Sequence, residues 1–171
     1  LGGALGLTAG LAGMVRVLSG AFNIIKRFDQ AVANLSAVTG KTKAELKGLT
    51  DSARALELQT KFTASEVISL QLELAKLGFA TDDILAMQED SLKLAQAWNI
   101  DLARTATLVG GTIRGFGLDV KETEKVLNLL AKATTISSLS VEKLETSLGI
   151  VAPVARGAGV SIEETVALLG T

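Results

Sequence analysis

At 171 residues the chain is one large domain or one domain with an appendage, and its 48% apolar residues supply ample material for a core. The net charge of −1 is divided unevenly: residues 1–61 hold 8 Lys/Arg against 4 Asp/Glu, and residues 62–171 hold 9 against 14, so neither part is basic enough to mark a nucleic-acid-binding protein. The absence of Cys and His excludes a disulfide framework, thiolate chemistry, the commonest metal ligand and the usual general base near neutral pH.

Residues 1–25 stand apart, with Arg16 as their only charge. Gly2, Gly6 and Gly10 fall four apart on one helical face, and Ala9 and Gly13 repeat the spacing beside them. Small residues at this interval let two helix backbones approach closely. The run also approaches the ~20 residues needed to cross a bilayer. Three readings stay open for it: a close-packed helix in a protein assembly, an interfacial or membrane-active helix, and a flexible segment. A secretory signal fits poorly, because no basic start precedes the apolar run.

From Ala21 the pattern is that of an amphipathic helix, with Phe22, Ile25, Phe28, Val32 and Leu35 on its apolar face and Gly40 at its end. Thr42 with Glu45 then caps a helix whose buried stripe is Leu46, Leu49, Ala53 and Leu56. Lys26, Arg27, Lys41, Lys43 and Lys47 form a mild basic patch that reads as a solvated face. Thr63 and Glu66 make the next capping box, and Gly78 closes that helix. Ala80 or Thr81 opens a helix that carries Ile84, Leu85, Leu92, Leu94 and Ala95 to about Trp98. Asp101 caps one that reaches about Phe116, and Asp119 with Glu122 caps one containing Val126, Leu127, Leu130 and Ala133. Ser140 caps another through Leu144, Leu148 and Val151, in which Pro153 should end or kink the helix near Ala152. Ser161 with Glu164 caps the last. Strand signals are weak; Thr134-Thr135-Ile136 is the nearest and is too short.

Three marks recur along this series: Gly78-Phe79-Ala80-Thr81-Asp82-Asp83, Gly117-Leu118-Asp119-Val120-Lys121-Glu122 and Gly159-Val160-Ser161-Ile162-Glu163-Glu164. In each, a Gly takes a left-handed helix end, an apolar residue follows, and a polar cap with a carboxylate three residues on starts the next helix. The spacing of about 40 residues, with a helix break inside each unit, predicts an all-α array of antiparallel helical hairpins. We take residues 1–27 as a long apolar Gly-rich helix preceding it, and residues 28–171 as the repeat domain. The chain starts at Leu1 rather than Met and reads as a piece of a longer protein.

Chemistry is hard to find. A triad without His or Cys needs a Ser–Lys or similar pair, and no such motif occurs. Asp82-Asp83 and Glu89-Asp90 lack the alternating spacing of a calcium loop, and the first pair sits where a helix N-terminus favours negative charge. Glu73, between Leu72 and Leu74, is the least implausible acid for a glycan-cleaving site, and reads more simply as an exposed helix residue. Gly110-Gly111 is followed by no Lys-Ser/Thr, so it marks a helix kink or a close crossing rather than a phosphate loop. Trp98 reads as a core or interface anchor. No catalytic, metal or cofactor residue is expected.

The run from Phe28 to Gly40, Phe28-Asp29-Gln30-Ala31-Val32-Ala33-Asn34-Leu35-Ser36-Ala37-Val38-Thr39-Gly40, resembles the conserved region of the tail tape measure proteins (minor tail proteins) of long-tailed bacteriophages. So do Ala44-Glu45-Leu46 through Leu49-Thr50, Thr60 to Glu66, Leu74 to Phe79, Gly115 to Leu118 and Val151 to Ala155, in the family's order over residues 28–170. The combination is specific, though each short motif alone is weak. The resemblance implies a large, mostly helical protein of the virion that occupies the tail tube or tip and is assembled in the host cytoplasm. It implies that the protein sets tail length, associates with tube and tip proteins and other copies of itself, and leaves before or with the DNA at ejection. The charge balance gives no reason to expect sequence-specific nucleic-acid binding. The resemblance carries over no catalytic residue, since the cell-wall-degrading domains of some relatives lie in other segments. The alternative reading is a membrane-active segment, in which residues 1–25 insert into the host membrane and help form a conduit for DNA.

Overall fold

A computed structural model of the chain describes residues 22–136 and 140–170. Every regular element among the described residues is helical: α1 (22–39), α2 (Lys47–Gln59), α3 (Ala64–Lys76), α4 (Thr81–Trp98), α5 (Leu102–Phe116), a 3₁₀ turn Val120–Glu122, α6 (Thr123–Ile136), α7 (Val141–Gly157) and α8 (Ile162–Leu169). The Gly2, Gly6, Gly10 and Gly13 stripe lies outside the described residues.

Local chemistry sets the helix starts. Thr63 Oγ1 accepts from Glu66 N while Glu66 Oε2 accepts from Thr63 N at 2.7 Å, so two amides of the first turn are satisfied reciprocally. Ser161 and Glu164 repeat this exchange at α8. Asp101 Oδ1 accepts from Arg104 N at 2.8 Å, and Ser140 Oγ from Lys143 N at 3.3 Å. Asp119 Oδ1 takes Lys121 N at 2.9 Å and Glu122 takes Asp119 N at 3.1 Å, which closes the 3₁₀ turn that leads into α6. Ala80 has no side chain to offer, and Asp83 alone accepts its N–H at 3.2 Å.

From α2 onward, next-but-one helices pack on each other throughout the series. α3 packs on α5 and α5 on α7; α4 packs on α6 and α6 on α8. α5 lies at the centre and meets α3, α4, α6 and α7. Leu74, Ile84, Met87, Ile113, Leu130 and Leu144 are fully buried in one apolar cluster between these helices. Each such side chain is worth roughly 1.5–3 kcal/mol when withdrawn from water.

The structure sharpens four of the readings made from the sequence. Pro153 does not end its helix, because α7 continues to Gly157. Pro153 is exposed and its ring lies one turn beyond the exposed Gly149, so water can take the carbonyl that loses its amide partner. Thr42 and Glu45 do exchange hydrogen bonds, with Thr42 N donating to Glu45 Oε2 at 2.8 Å, yet residues 43–46 form a turn and α2 begins only at Lys47. The apolar face of α1 is buried only in its second half. Val32 and Leu35 reach the core, while Phe22 and Ile25 stay 68% and 59% exposed, because the neighbouring helices cover only the later turns. Finally, Thr134-Thr135-Ile136 closes α6, where the Thr134 and Thr135 hydroxyls bond back to Ala131 O.

Candidate functional site

The most organised feature outside the core is a series of contacts where one helix seats on the end of the helix two before it. Gly78, Gly117 and Gly159 have φ of +82°, +68° and +73°, a region that costs a side-chain-bearing residue roughly 1–2 kcal/mol. The amides of the residues after them, Phe79, Leu118 and Val160, reach back to the carbonyls of Leu74, Ile113 and Ala155 at 3.2, 2.9 and 2.9 Å. This is the six-to-one closure of a Schellman end, with the apolar residue packed into or against the core. Asn99, at φ +53°, ends α4 in the same way, and Ile100 N donates to Ala95 O at 3.1 Å.

An arginine from the next odd-numbered helix covers two of these glycines. Arg114 Nη2 donates to Gly78 O at 2.6 Å, and its guanidinium lies 4.1 Å from the centre of the Phe79 ring. That geometry combines a charge-assisted hydrogen bond with a cation–π contact. Arg156 lies over Gly117 so closely that a Cβ there would fall 2.4 Å from its Cζ. A turn earlier a glycine again leaves room for its neighbour. A Cβ on Gly110 would meet Leu77 Cδ1 at 2.6 Å, and one on Gly115 would meet Ala152 Cβ at 2.7 Å. The pair Gly110/Arg114 thus seats α5 on the end of α3, and the pair Ala152/Arg156 seats α7 on the end of α5. The sequence carries this as Arg114-Gly115-Phe116-Gly117-Leu118 and Arg156-Gly157-Ala158-Gly159-Val160, a repeated Arg-Gly-x-Gly-apolar signal that reading for caps alone misses.

Ion pairs fasten the opposite ends. Arg104 Nη2 lies 2.7 Å from Glu145 Oε2 and its Nη1 lies 3.2 Å from Glu142 Oε1, joining the start of α5 to the start of α7. The Glu145 hydrogen bond, followed by attraction to both carboxylates, holds Arg104 above its ordinary value. Glu142 is held below its own by its backbone amide, then by Ser140 and Arg104. Lys125 Nζ meets Glu163 Oε1 at 2.5 Å, joining α6 to α8.

The remaining sequence candidates are dispersed. Glu73 pairs with Lys76 at 2.7 Å on α3. Glu89 and Asp90 share Lys93 at 3.2 and 2.9 Å, and these hydrogen bonds, Asp90's first, raise the lysine. Asp82 and Asp83 stay in the first turn of α4, and Trp98 packs half-buried against the core. Gly110 is a close crossing, while Gly111 has open space around it. Among the described residues no group of three or more acidic side chains could hold a metal ion, and no helix is long and apolar enough to cross a membrane.

The fold and these contacts define an all-helical segment whose organised surface packs other helices. The phage-related minor tail protein family matches residues 50–171, and the chain belongs to that family. It is 29% identical over 143 residues to the tape measure protein of Pneumococcus phage Dp-1, a match covering 84% of this chain and 12% of that protein. It is 32% identical over 145 residues to the probable tape measure protein of Escherichia phage P2, covering 84% of this chain and 18% of that one. The chain therefore spans less than a fifth of the length of either relative. No solved structure matches it.

Proposed function

We propose that this segment is a structural part of a phage tail tape measure protein, one that sets tail length, organises assembly within the tube or tip, and leaves the virion during DNA ejection. The observation that carries the reading is the match of 84% of the chain to two proteins bearing the tape measure name. Its expected partners are further copies of itself and the tube and tip proteins. We also read residues 28–171 as stacked antiparallel helix pairs. The arginine–glycine contacts, which bring the ends of α3, α5 and α7 together, and the Arg104 and Lys125 pairs, which bring the starts of alternate helices together, support that reading. Such arrays serve as surfaces and scaffolds. No catalytic role is assigned to any residue of the segment.

The test is made in a phage whose tape measure protein carries this segment. In-frame deletion or duplication of one helix pair, residues 102–136, should change the tail length seen by electron microscopy in the matching direction. Tails of unaltered length would remove the length-setting role from this region.

A second reading concerns the chain's beginning. Phe22, Ile24 and Ile25 are 68%, 62% and 59% exposed at the start of α1, in continuity with the apolar run before them. An apolar occupant is implied, either a helix of another copy or the host membrane. Dye release from lipid vesicles by a peptide of residues 1–25 favours the membrane. Loss of self-association on Gly6→Leu, without dye release by the native peptide, favours the copy.

A further inference from the structure

The forward face of α7 repeats the forward face of α5, but none of the described residues lies on it. Counted back from the glycine that ends each helix, Leu108 and Thr112 of α5 correspond to Ile150 and Val154 of α7. Leu108 and Thr112 are 4% and 2% exposed beneath the neighbouring helices; Ile150 and Val154 are 70% and 69% exposed. The two seating glycines repeat the contrast. Gly115 receives Ala152 and Gly117 receives Arg156, whereas a Cβ on Gly157 or Gly159 would meet nothing within 4 Å. Gly40, the left-handed end of α1, is also uncovered, but there the cause is visible: Ala75 stands where Arg114 and Arg156 stand in the later helices.

We propose that this face of α7 is the seat of a further helix, belonging to the same polypeptide beyond residue 171, which carries a Gly or Ala four residues before an Arg. The small residue would lie on Gly157 as Ala152 lies on Gly115, and the Arg would cover Gly159 as Arg156 covers Gly117. The covering arginines come 36 and 39 residues after the glycines they cover, so the new Arg belongs 36 to 39 residues after Gly159. Two observations favour the same polypeptide over a second copy. In both seats on the page the seating helix belongs to the same polypeptide as the seat, α5 on α3 and α7 on α5, at a separation of two helices. In addition, both relatives are much longer polypeptides, of which the matched region is 12% and 18%. The inference rests on the stacked-helix reading and is independent of tail length.

The experiment uses the natural polypeptide that carries these residues, with one cysteine introduced at Val154→Cys, and with Leu58→Cys, 87% exposed in α2, as the open reference. Both substitutions are small and at the surface, so the fold survives them. Maleimide labelling is followed by mass spectrometry of the peptide containing the new thiol. Position 154 should label about tenfold more slowly than position 58, at a rate that dilution does not change, because a seated helix must open locally before the reagent enters. Equal rates would overturn the proposal. Protection lost on dilution would also overturn it, since the occupant would then be a second copy. So would a natural sequence with no Arg in the stated window. Each of these outcomes leaves the tail-length measurement free to succeed or fail by itself.

Discussion

The junction of α2, α3 and α4 and the junction of α5 with α7 hold helices together by opposite means. At the first, a buried amide chain crosses the core: Gln71 Nε2 donates to Leu49 O at 3.0 Å and to Gln88 Oε1 at 2.9 Å, and Gln88 Nε2 donates to Ser52 Oγ. At the second, no side-chain amide intervenes, and Gly115 lets Ala152 touch its backbone. Hydrogen-bond partners fix the position of one helix along another, because a shift leaves buried groups unpaired. Small residues fix the distance between axes instead, and rely on the arginine and glutamate contacts at the helix ends to choose the position. The first junction is intolerant of lost polar groups, and the second is intolerant of added volume.

The largest expected effect lies at the amide chain. Gln71 is fully buried, and its Oε1 accepts no hydrogen bond, so the chain is satisfied on one side only. Gln71→Ala leaves both a cavity and an unpaired Gln88 acceptor, and should cost about 3 kcal/mol in denaturant unfolding. Gln71→Leu refills most of the volume and removes the unsatisfied oxygen, so it should cost clearly less. Equal losses for the two would mean that the lost hydrogen bonds, and not packing, decide this junction.

Next comes the crossing. Gly115→Ala places a methyl 2.7 Å from Ala152 Cβ, an atom that cannot swing aside, and should cost about 2 kcal/mol. Gly110→Ala meets only the ends of leucine and phenylalanine side chains and should cost less. Ala152→Gly should recover much of the Gly115→Ala loss, and a double-mutant cycle without coupling would show that the two residues do not govern the spacing.

These junctions were legible in the sequence to different degrees. Helix boundaries near Thr63, Gly78, Asp101, Gly117, Ser140, Gly159 and Ser161 could be read because cap chemistry spans only three or four residues. The seating contacts could not, since Arg114 and Gly78 are 36 residues apart and a surface arginine has no local mark of its partner. The repeated Arg-Gly-x-Gly-apolar string was their one available signal. Gln71 and Gln88 gave none, as a glutamine on a helix reads as surface until three helices close around it. Pro153 left open whether the helix would end or bend, and α7 continues through it; Phe22 and Ile25 show that periodicity announces an apolar face without saying whether anything covers it.

A gain is expected at Gly111. It lies in the interior of α5 with open space where a Cβ would go. Gly111→Ala should stabilise the chain by about 0.5–1 kcal/mol, by helix propensity and the narrower unfolded ensemble. Gly110 and Gly111 are neighbours of one composition, so opposite signs of their alanine substitutions would assign the difference to the α3 crossing. A loss at Gly111 would place an unrecognised neighbour against that side of α5.

The smallest effect concerns α6 and α8, which share an ion pair rather than a close glycine crossing. The hydrogen bond from Lys125 holds the Glu163 carboxyl below its ordinary value of 4.5, assisted by the backbone amide of Glu163. The same contact holds Lys125 above its ordinary 10.5. A carboxyl lowered on folding adds stability that is complete above its ordinary value and disappears as pH falls through the lower folded value. A raised ammonium adds stability that is complete below its ordinary value and disappears as pH rises through the higher folded one. The contribution should therefore be level between the two ordinary values. The thermal midpoint of the native chain should exceed that of Glu163→Gln slightly across that range, and the gap should close in acid as Glu163 protonates. Both side chains are substantially exposed, at 63% and 44%, so added salt should also shrink the gap. A gap that widened in acid, or ignored salt, would show that Glu163 acts through packing in the groove between α6 and α8 rather than through its charge.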